Sequence, residues 1–149
     1  MIVNLGCGRA IDPAPQVTNV DRVHHEGVDV VWDLDEFPWP FSDGTATEVR
    51  AIQIFEHVAD PVRFMAEAHR ILAAGGRLRI ATPSWQSENA FTDPTHRRAA
   101  TLHTFDYWIP GTALHGQFAY AFGGESVVFR AESIATDGID IHADLRKLP

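Results

Sequence analysis

The sequence contains a single cysteine, and it has no apolar run long enough to cross a bilayer. Cys7 has no second cysteine to pair with, so an intramolecular disulfide and a zinc site built from several thiolates are excluded. No stretch approaches the ~20 apolar residues that a membrane helix requires. No charged-then-apolar leader precedes the first strand-like residues. These absences predict a cytoplasmic protein with no membrane partner.

Positive charge is also scarce, with 12 Lys and Arg residues against 20 Asp and Glu residues, which gives a formal net charge of −8. The basic pairs at 97–98 and 146–147 are too short to form a stripe along a phosphate backbone, so nucleic acid is not expected as a partner. The eight histidines include no H-x-x-x-H pair, and the adjacent pair at 24–25 lies on a short polar connection. The sequence therefore predicts no metal site.

The most informative stretch is the apolar segment 2–5, which runs directly into a glycine-rich turn. Gly6 and Gly8 allow a tight bend and a close approach of the backbone to a ligand. Ala10 completes a G-x-G-x-A spacing, whereas a nicotinamide fingerprint requires its third small residue at Ile11. On this stretch alone, a turn with no binding role stays open.

Five further segments follow in order. Val20-Asp21 and V-V-W-D-L (30–34) each end a strand-like run in an acid. F-P-W-P-F-S-D-G (37–44), I-F-E-H-V-A-D-P (54–61) and E-A-H-R-I-L-A-A-G-G-R-L (67–78) come next. With the glycine turn, this series resembles small bacterial and phage-type class I S-adenosylmethionine (SAM) methyltransferases over about residues 2–83.

The resemblance implies a cofactor site along the ends of the strands. Backbone 5–8 would lie against the amino-acid part of SAM, Asp21 would accept from the ribose hydroxyls, and Asp33 would accept from the adenine amino group. Asn4 stands where the family commonly has an acid, and each acid has a plainer interpretation as a surface carboxylate. The expected cofactor-binding residues are Asn4, Leu5, Gly6, Cys7, Gly8, Asp21, Arg22, Asp33, Leu34, Gln53 and Glu56.

Periodicity and turn signals predict the elements around this site. Asp60-Pro61 has the N-cap and first-turn residues of a helix that Gly75-Gly76 would end, and a second helix is expected over 97–107. Strands are expected at 2–5, 16–20, 28–32, 48–55, 77–81, 127–136 and 139–146, the last two joined by the Asp137-Gly138 turn. Residues 84–95 read as irregular. With the resemblance, this predicts one α/β domain over 1–149: a Rossmann-like three-layer sandwich with a mostly parallel seven-stranded sheet and a C-terminal antiparallel hairpin.

The connections after the first two strands are too short for the helices that the family places there. Pro13 and Pro15 break the first connection, and only residues 22–27 form the second. Since a parallel sheet needs both faces covered, we expect an under-covered face that packs against a second copy, as a homodimer.

The acceptor side is expected beyond the fifth strand. His96 is the candidate for taking the acceptor's proton near neutral pH, and His57 is a second candidate. Alternatively, the segment 93–98 is only a capped helix start, and the aromatic side chains that follow it pack in the core. The expected substrate-binding residues are Trp85, Asp93, Tyr107 and Trp108.

The resemblance implies in-line transfer of the methyl group of SAM to an acceptor, which we expect to be a small molecule or a sugar-type metabolite. A catalytically silent SAM-binding subunit that acts through a partner protein stays open, because the helices are trimmed and Asn4 replaces an acid. A nicotinamide-dependent oxidoreductase is disfavoured by Ile11 and by the downstream segments.

Overall fold

The computed structural model describes residues 1–122 and 124–148 and is built on one seven-stranded sheet. The strands are β1 (Ile2–Leu5), β2 (Val17–Asp21), β3 (Val30–Val31), β4 (Ala46–Ile52), β5 (Leu72–Pro83), β6 (Phe129–Thr136) and β7 (Asp140–Lys147). Their order is β3-β2-β1-β4-β5-β7-β6. The first five are parallel, and β7 runs antiparallel to both β5 and β6. The predicted fold class, with its terminal hairpin, is confirmed.

The strand order reverses between β1 and β4, which places a crevice at their carboxyl ends. From β1 the chain moves outward to β2 and β3, and it then returns to the other side of β1 as β4. In open α/β sheets, ligands bind at such a switch point, beyond the carboxyl ends of the strands. The turn after β1 and the segment after β4 therefore face each other across the crevice.

The main helix, α1 (Pro61–Ile71), begins where the sequence predicts. The carboxylate of Asp60 accepts hydrogen bonds from the backbone N–H groups of Val62 and Arg63, both at 3.0 Å. The buried side chains Phe64, Met65, Ala68 and Ile71 pack one face of the helix against the sheet. Asp60 and the apolar spacing thus set both the start and the orientation of α1.

The predicted stop of this helix at Gly75-Gly76 is wrong. The helix ends at Ile71, and Leu72 already has extended backbone and pairs with Ala46 as the first residue of β5. The register then shifts, so that Arg77 pairs with Glu48. The two glycines lie inside this irregular part of the strand, where Gly75 has a φ of +73°. They form a bulge in β5 instead of a helix terminus.

The predicted helix over 97–107 is also wrong. A 3₁₀ helix (Asp106–Trp108) is the only helical turn there, preceded by turns at 102–105. The Thr101 hydroxyl oxygen accepts from the His103 N–H, and the Thr104 hydroxyl oxygen accepts from the Thr101 N–H, so side chains replace helical bonds. Short helices occur elsewhere instead: α2 (Asn89–Thr92), in a stretch expected to be irregular, α3 (Ala113–Phe118), and a 3₁₀ helix (Ala119–Phe122).

The aromatic loop at 37–41 packs into the core beneath α1. Trp39 is 2% exposed and meets Phe64 edge-on, with ring centroids 5.1 Å apart. The backbone N–H of Trp39 donates to the Glu67 carboxylate at 2.7 Å, and its backbone carbonyl accepts from the Arg70 guanidinium at 3.1 Å. The loop is therefore an aromatic plug fastened to α1.

The face of the sheet opposite α1 has no helix over β1–β3, because no helix lies in the connections 6–16 and 22–29. This face is charged. The Arg50 guanidinium bonds Asp12 at 2.7 Å, and Arg146 bonds Glu132 at 2.9 Å. Arg79, half exposed, lies 3.8 Å from Asp144. Burial of apolar surface therefore supplies no driving force for dimer formation here. Among the described residues, none of the helices is long and apolar enough to cross a membrane.

Candidate functional site

A cavity of about 490 Å³ opens at the switch point between β1 and β4. This volume lies within the range of sites for cofactors and drug-sized ligands. Most of its lining residues lie at or just after the carboxyl ends of β1 to β4, and residues 94–97 follow α2. The lining residues are Gly6, Asp21, Arg22, Trp32, Asp33, Leu34, Asp35, Gln53, Ile54, His57, Val58, Pro94, Thr95, His96 and Arg97.

The turn after β1 forms the floor of the cavity. Gly6 has a φ of +58°, and a Cβ there would overlap the side chain of Ile54. Gly8 also has a positive φ, and its N–H donates to the Asp21 carboxylate at 2.8 Å. Asp21 therefore holds the turn in place while lining the cavity. Cys7 is buried in this turn, where burial and the nearby charge of Asp21 raise the pKa of its thiol.

One wall of the cavity combines carboxylates with a flat apolar surface. Besides the Gly8 N–H, Asp21 accepts the backbone N–H of Val23, and Asp33 accepts that of Asp35, both at 2.9 Å. Each carboxylate keeps further lone pairs for a ligand, because two oxygens offer about four acceptor positions. Trp32, Leu34, Ile54 and Val58 provide the apolar surface. This wall fits a ligand that carries hydroxyl groups, a planar ring and a positive charge, as SAM does.

Gln53, at the end of β4, is the one non-glycine residue with a positive φ among those described, at 55°. Its backbone N–H donates to the Ala81 carbonyl at 2.7 Å, and its side-chain amide donates to Asp140 at 2.6 Å. These two bonds hold the residue in a conformation that costs energy for an L-amino acid. The chain thereby turns sharply out of β4 and brings residues 54–57 to the cavity.

The opposite wall carries two imidazoles. The rings of His57 and His96 meet edge to face, with centroids 4.6 Å apart, and the Nε2 atom of each lies 4.0 Å from the Glu56 Oε1 atom. His96 arrives there because the Arg97 N–H donates to the Glu56 carbonyl at 2.8 Å and Arg98 donates to the Phe55 carbonyl. Glu56 itself is 1% exposed and lies behind the imidazoles.

Several predicted cofactor residues support the cavity without lining it. Asn4 is buried, and its amide group donates to the Ala10 carbonyl and to the Asn19 side chain, so it braces the turn after β1. Leu5 belongs to the core. Five of the predicted cofactor-binding residues therefore do not line the cavity: Asn4, Leu5, Cys7, Gly8 and Glu56. The predicted residues that do line it are Gly6, Asp21, Arg22, Asp33, Leu34, Gln53, His57 and His96.

The four residues expected to bind the acceptor lie outside the lining of the cavity. Trp108 is 5% exposed and packs in the core, because its segment forms a 3₁₀ turn over Phe105 instead of a cavity-facing helix. Trp85 is 55% exposed and lies outside the lining, as does Tyr107, which packs beside Trp108. Asp93 also lies outside it. Hydrogen bonds from the Thr95 side chain and N–H hold the pKa of Asp93 below its usual value.

Seven lining residues are not among the site residues that the sequence singled out. Trp32 and Asp35 flank the predicted Asp33-Leu34 pair, and Ile54 and Val58 flank the predicted 56–57 pair, so the neighbourhood of each motif was the available signal. Pro94, Thr95 and Arg97 adjoin His96, and their segment reaches the cavity only through tertiary contacts.

Comparison with known proteins identifies the family. The family model described as "Methyltransferase domain" matches residues 5–80, which is half of the chain. This chain belongs to the methyltransferase domain family. The family that the sequence resembles, and SAM as its cofactor, are therefore confirmed. No support for a nicotinamide cofactor is left, because the matched segment contains the glycine turn, Asp21 and Asp33.

Individual relatives of this methyltransferase domain are distant. An uncharacterised 37.1 kDa protein in transposon Tn4556 of Streptomyces fradiae is 30% identical; the match covers 78% of this chain and 40% of that protein. The chain thus spans about two fifths of the length of the curated relative it matches.

Two solved structures share the fold. A complex between the Haloferax volcanii Trm112 methyltransferase activator and its candidate methyltransferase matches with a TM-score of 0.63 at 14% identity, over 99% of this chain and 82% of that one. The Burkholderia thailandensis 1,6-didemethyltoxoflavin-N1-methyltransferase, with its substrate and S-adenosylhomocysteine bound, matches with a TM-score of 0.62 at 15% identity, over 99% and 71%.

Proposed function

We propose that the chain transfers the methyl group of SAM to a small-molecule or sugar-type acceptor. The observation that supports this most is the layout of the single cavity between β1 and β4. One wall presents a glycine turn, the carboxylates of Asp21, Asp33 and Asp35 and an apolar surface, and the other presents two imidazoles. A cofactor and an acceptor would therefore meet within one cavity, as in-line displacement requires.

In this proposal the residues of the first wall bind and orient the cofactor. SAM, when bound, supplies an electrophilic methyl group on a sulfonium. Asp21 accepts from the ribose hydroxyls, and Asp33 accepts from the adenine amino group. Leu34 and Trp32 lie against the ring, and the backbone at Gly6 approaches the methionine part. The acids also place negative charge near the cationic cofactor, which favours its binding.

The second wall acts on the acceptor. An acceptor hydroxyl or amine must lose a proton as its bond to the methyl group forms. His96 and His57 line the cavity opposite the proposed cofactor wall, so we propose them as the residues that handle this proton. Arg97 lies beside them and presents a guanidinium to any anionic group on the acceptor. The net charge of −8 disfavours nucleic acid as the acceptor.

His96→Ala is expected to lower the rate of methyl transfer at least about tenfold. A positioned acid–base group contributes about 100-fold or more to the rate, and the lower bound is smaller here because His57 stays in place. The measurement is S-adenosylhomocysteine release with a panel of hydroxylated and amino small molecules, including sugars. His103→Ala is the matched control, since His103 is an exposed imidazole beside Asp106, outside the cavity. Equal rates for wild type and His96→Ala would remove His96 from the reaction.

A second candidate is a catalytically silent SAM-binding subunit that acts through a partner protein. The similarity to a methyltransferase that forms a complex with an activator favours this alternative. It predicts tight binding of SAM with no turnover on any acceptor in the panel, and turnover that appears when a partner is added. Turnover by the isolated chain would rule it out.

We also propose that the chain works in the cytoplasm as a homodimer, with the open face of the sheet as the contact. Because this face carries alternating charges such as Arg79 and Asp144, its association would depend on ion pairs and weaken as salt rises. Light scattering at micromolar concentration is expected to give the mass of two chains at low salt. The mass of one chain under these conditions would contradict the proposal.

A further inference from the structure

Glu56 is a buried carboxylate with one oxygen unused. Its Oε2 atom accepts a hydrogen bond from the Thr82 hydroxyl at 3.0 Å. Its Oε1 atom has no hydrogen-bond partner among the described residues, although the side chain is 1% exposed. A buried acceptor that has lost water and gained no donor is unfavourable, so such an atom indicates an absent partner.

The two imidazoles beside this oxygen also present lone pairs to it. The Thr95 hydroxyl lies 2.9 Å from the His57 Nδ1 atom and donates its own hydrogen to Asp93 at 2.7 Å. The His57 Nδ1 atom must therefore be the donor, which leaves Nε2 as an acceptor in the neutral ring. The His96 Nδ1 atom lies 3.3 Å from the Ala90 carbonyl, which only accepts. The same tautomer follows, with a lone pair on the His96 Nε2 atom.

Three acceptor atoms thus converge, and they are too far apart for a shared proton. Each Nε2 atom lies 4.0 Å from Oε1, beyond hydrogen-bond distance. All three atoms lie within 4.8 Å of one another. An ion equally distant from the three would be about 2.5 Å from each, so a contraction of about 0.4 Å per ligand would reach zinc–ligand distances.

We propose that Glu56, His57 and His96 bind a divalent transition-metal ion of the zinc class. Two imidazoles and one carboxylate are the protein ligands of many zinc and related sites, whereas Mg²⁺ and Ca²⁺ favour sites made of oxygen. The outer atom of each ligand is held by Thr95, Ala90 or Thr82, which is how metal ligands are commonly oriented. Both imidazoles line the cavity, so the open coordination position faces it.

The role of the ion rests on the proposed methyl transfer, whereas its binding does not. An acceptor hydroxyl bound at the open position loses its proton to water more readily, because the ion stabilises the oxygen anion. That oxygen forms its bond to the methyl group as the bond from sulfur to methyl breaks, and S-adenosylhomocysteine leaves. The substrate class is therefore a hydroxyl-bearing molecule whose oxygen can bind a metal ion.

The test is metal binding by the whole chain, purified free of metal. Titration with Zn²⁺ against a chromophoric chelator is expected to show one ion per chain, and Co²⁺ is expected to give the visible bands of a four- or five-coordinate site. His96→Ala and Glu56→Gln should each weaken Zn²⁺ binding at least about 10-fold, since changes even outside the ligands cost about that much. His142→Ala is the matched control, because His142 pairs with Asp137 at 3.1 Å on the exposed hairpin.

Two results would overturn the proposal: no Zn²⁺ binding to the folded wild-type chain at 100-fold excess of metal over protein, or binding that His142→Ala weakens as much as His96→Ala. The rival explanation is that the His96 Nε2 atom, which also lies 4.0 Å from Asp93, carries a proton in place of the metal ion. That explanation predicts no Zn²⁺ binding. Asp21→Ala separates this inference from the proposed function, since it should lose S-adenosylhomocysteine and keep Zn²⁺. If turnover persists unchanged in the presence of a chelator, the metal-free imidazoles, and not an ion, handle the acceptor's proton.

Discussion

Asp21→Ala is expected to lower the affinity for S-adenosylhomocysteine at least about 100-fold. The proposed contacts are two hydrogen bonds from ribose hydroxyls to a carboxylate, and bonds to charged groups contribute about 1.5–3 kcal/mol each. Two of them correspond to about 100-fold or more in the dissociation constant. The substitution also removes the acceptor for the Gly8 N–H, which lies 2.8 Å from Asp21, so the turn after β1 would loosen. Calorimetric titration of the purified variant measures the change.

The control is Asp12→Ala. Asp12 likewise accepts a backbone N–H, that of Ala14 at 3.1 Å, and it bonds Arg50 on the charged face. It lies outside the cavity lining, so its loss should destabilise the fold and leave affinity for the cofactor product within about threefold. Asp21→Asn distinguishes the negative charge of Asp21 from its support of the turn, because an amide oxygen can still accept the Gly8 N–H. Affinity in Asp21→Ala that matches wild type would show that the cofactor does not bind at this carboxylate.

Gly6→Ala is expected to have a large effect on both stability and binding. The left-handed φ of +58° costs an alanine about 1–2 kcal/mol. In addition, the new Cβ would overlap Ile54, so either the turn or residues 54–57 must shift. We expect a loss of about 2–4 kcal/mol in the free energy of unfolding and no measurable binding of S-adenosylhomocysteine. Urea unfolding and calorimetric titration test the two parts.

Gly8→Ala is the matched control for this prediction. Gly8 has a similar φ of +50°, but nothing lies within 4 Å of the position that a Cβ would occupy. The substitution should therefore cost about 1–2 kcal/mol from backbone strain alone and leave a folded protein that still binds. The close approach of Ile54 is the only difference of this kind between the two positions. Equal losses in both variants would mean that backbone strain, and not the overlap, determines the effect.

The sequence predicted those parts of this methyltransferase domain that depend on local residue patterns. The glycine turn after β1, the N-cap at Asp60 and the Asp137-Gly138 hairpin each depend on residues a few positions apart. Asp21 and Asp33 could be predicted because each directly follows an apolar strand within the segment that resembles the family. The family model matches this same segment, residues 5–80.

The acceptor side was predicted poorly because no local pattern specifies it. His57 and His96 are far apart in the sequence, and they meet because the Arg97 N–H bonds to the Glu56 carbonyl across the end of β4. The helix expected over 97–107 is absent, because threonine side chains make hydrogen bonds to the backbone groups that a helix would use. Trp108 was expected to face a substrate, yet the core buries it. Composition describes which residues can bind a substrate, and only packing decides which of them reach the cavity.

The missing helices between β1 and β3 also bear on how the chain folds. Val3 of β1 pairs with Thr18 of β2, fifteen positions away, and Val20 of β2 pairs with Val30 of β3, ten positions away. In a complete strand–helix–strand unit the corresponding span is about 30 residues or more. Because the entropy lost on closing a loop rises with its length, and low contact order speeds folding, these parallel pairs form at lower cost than usual. The trimmed connections that leave one face of the sheet open therefore also lower the entropic cost of pairing β1, β2 and β3 in the cofactor-binding half of the sheet.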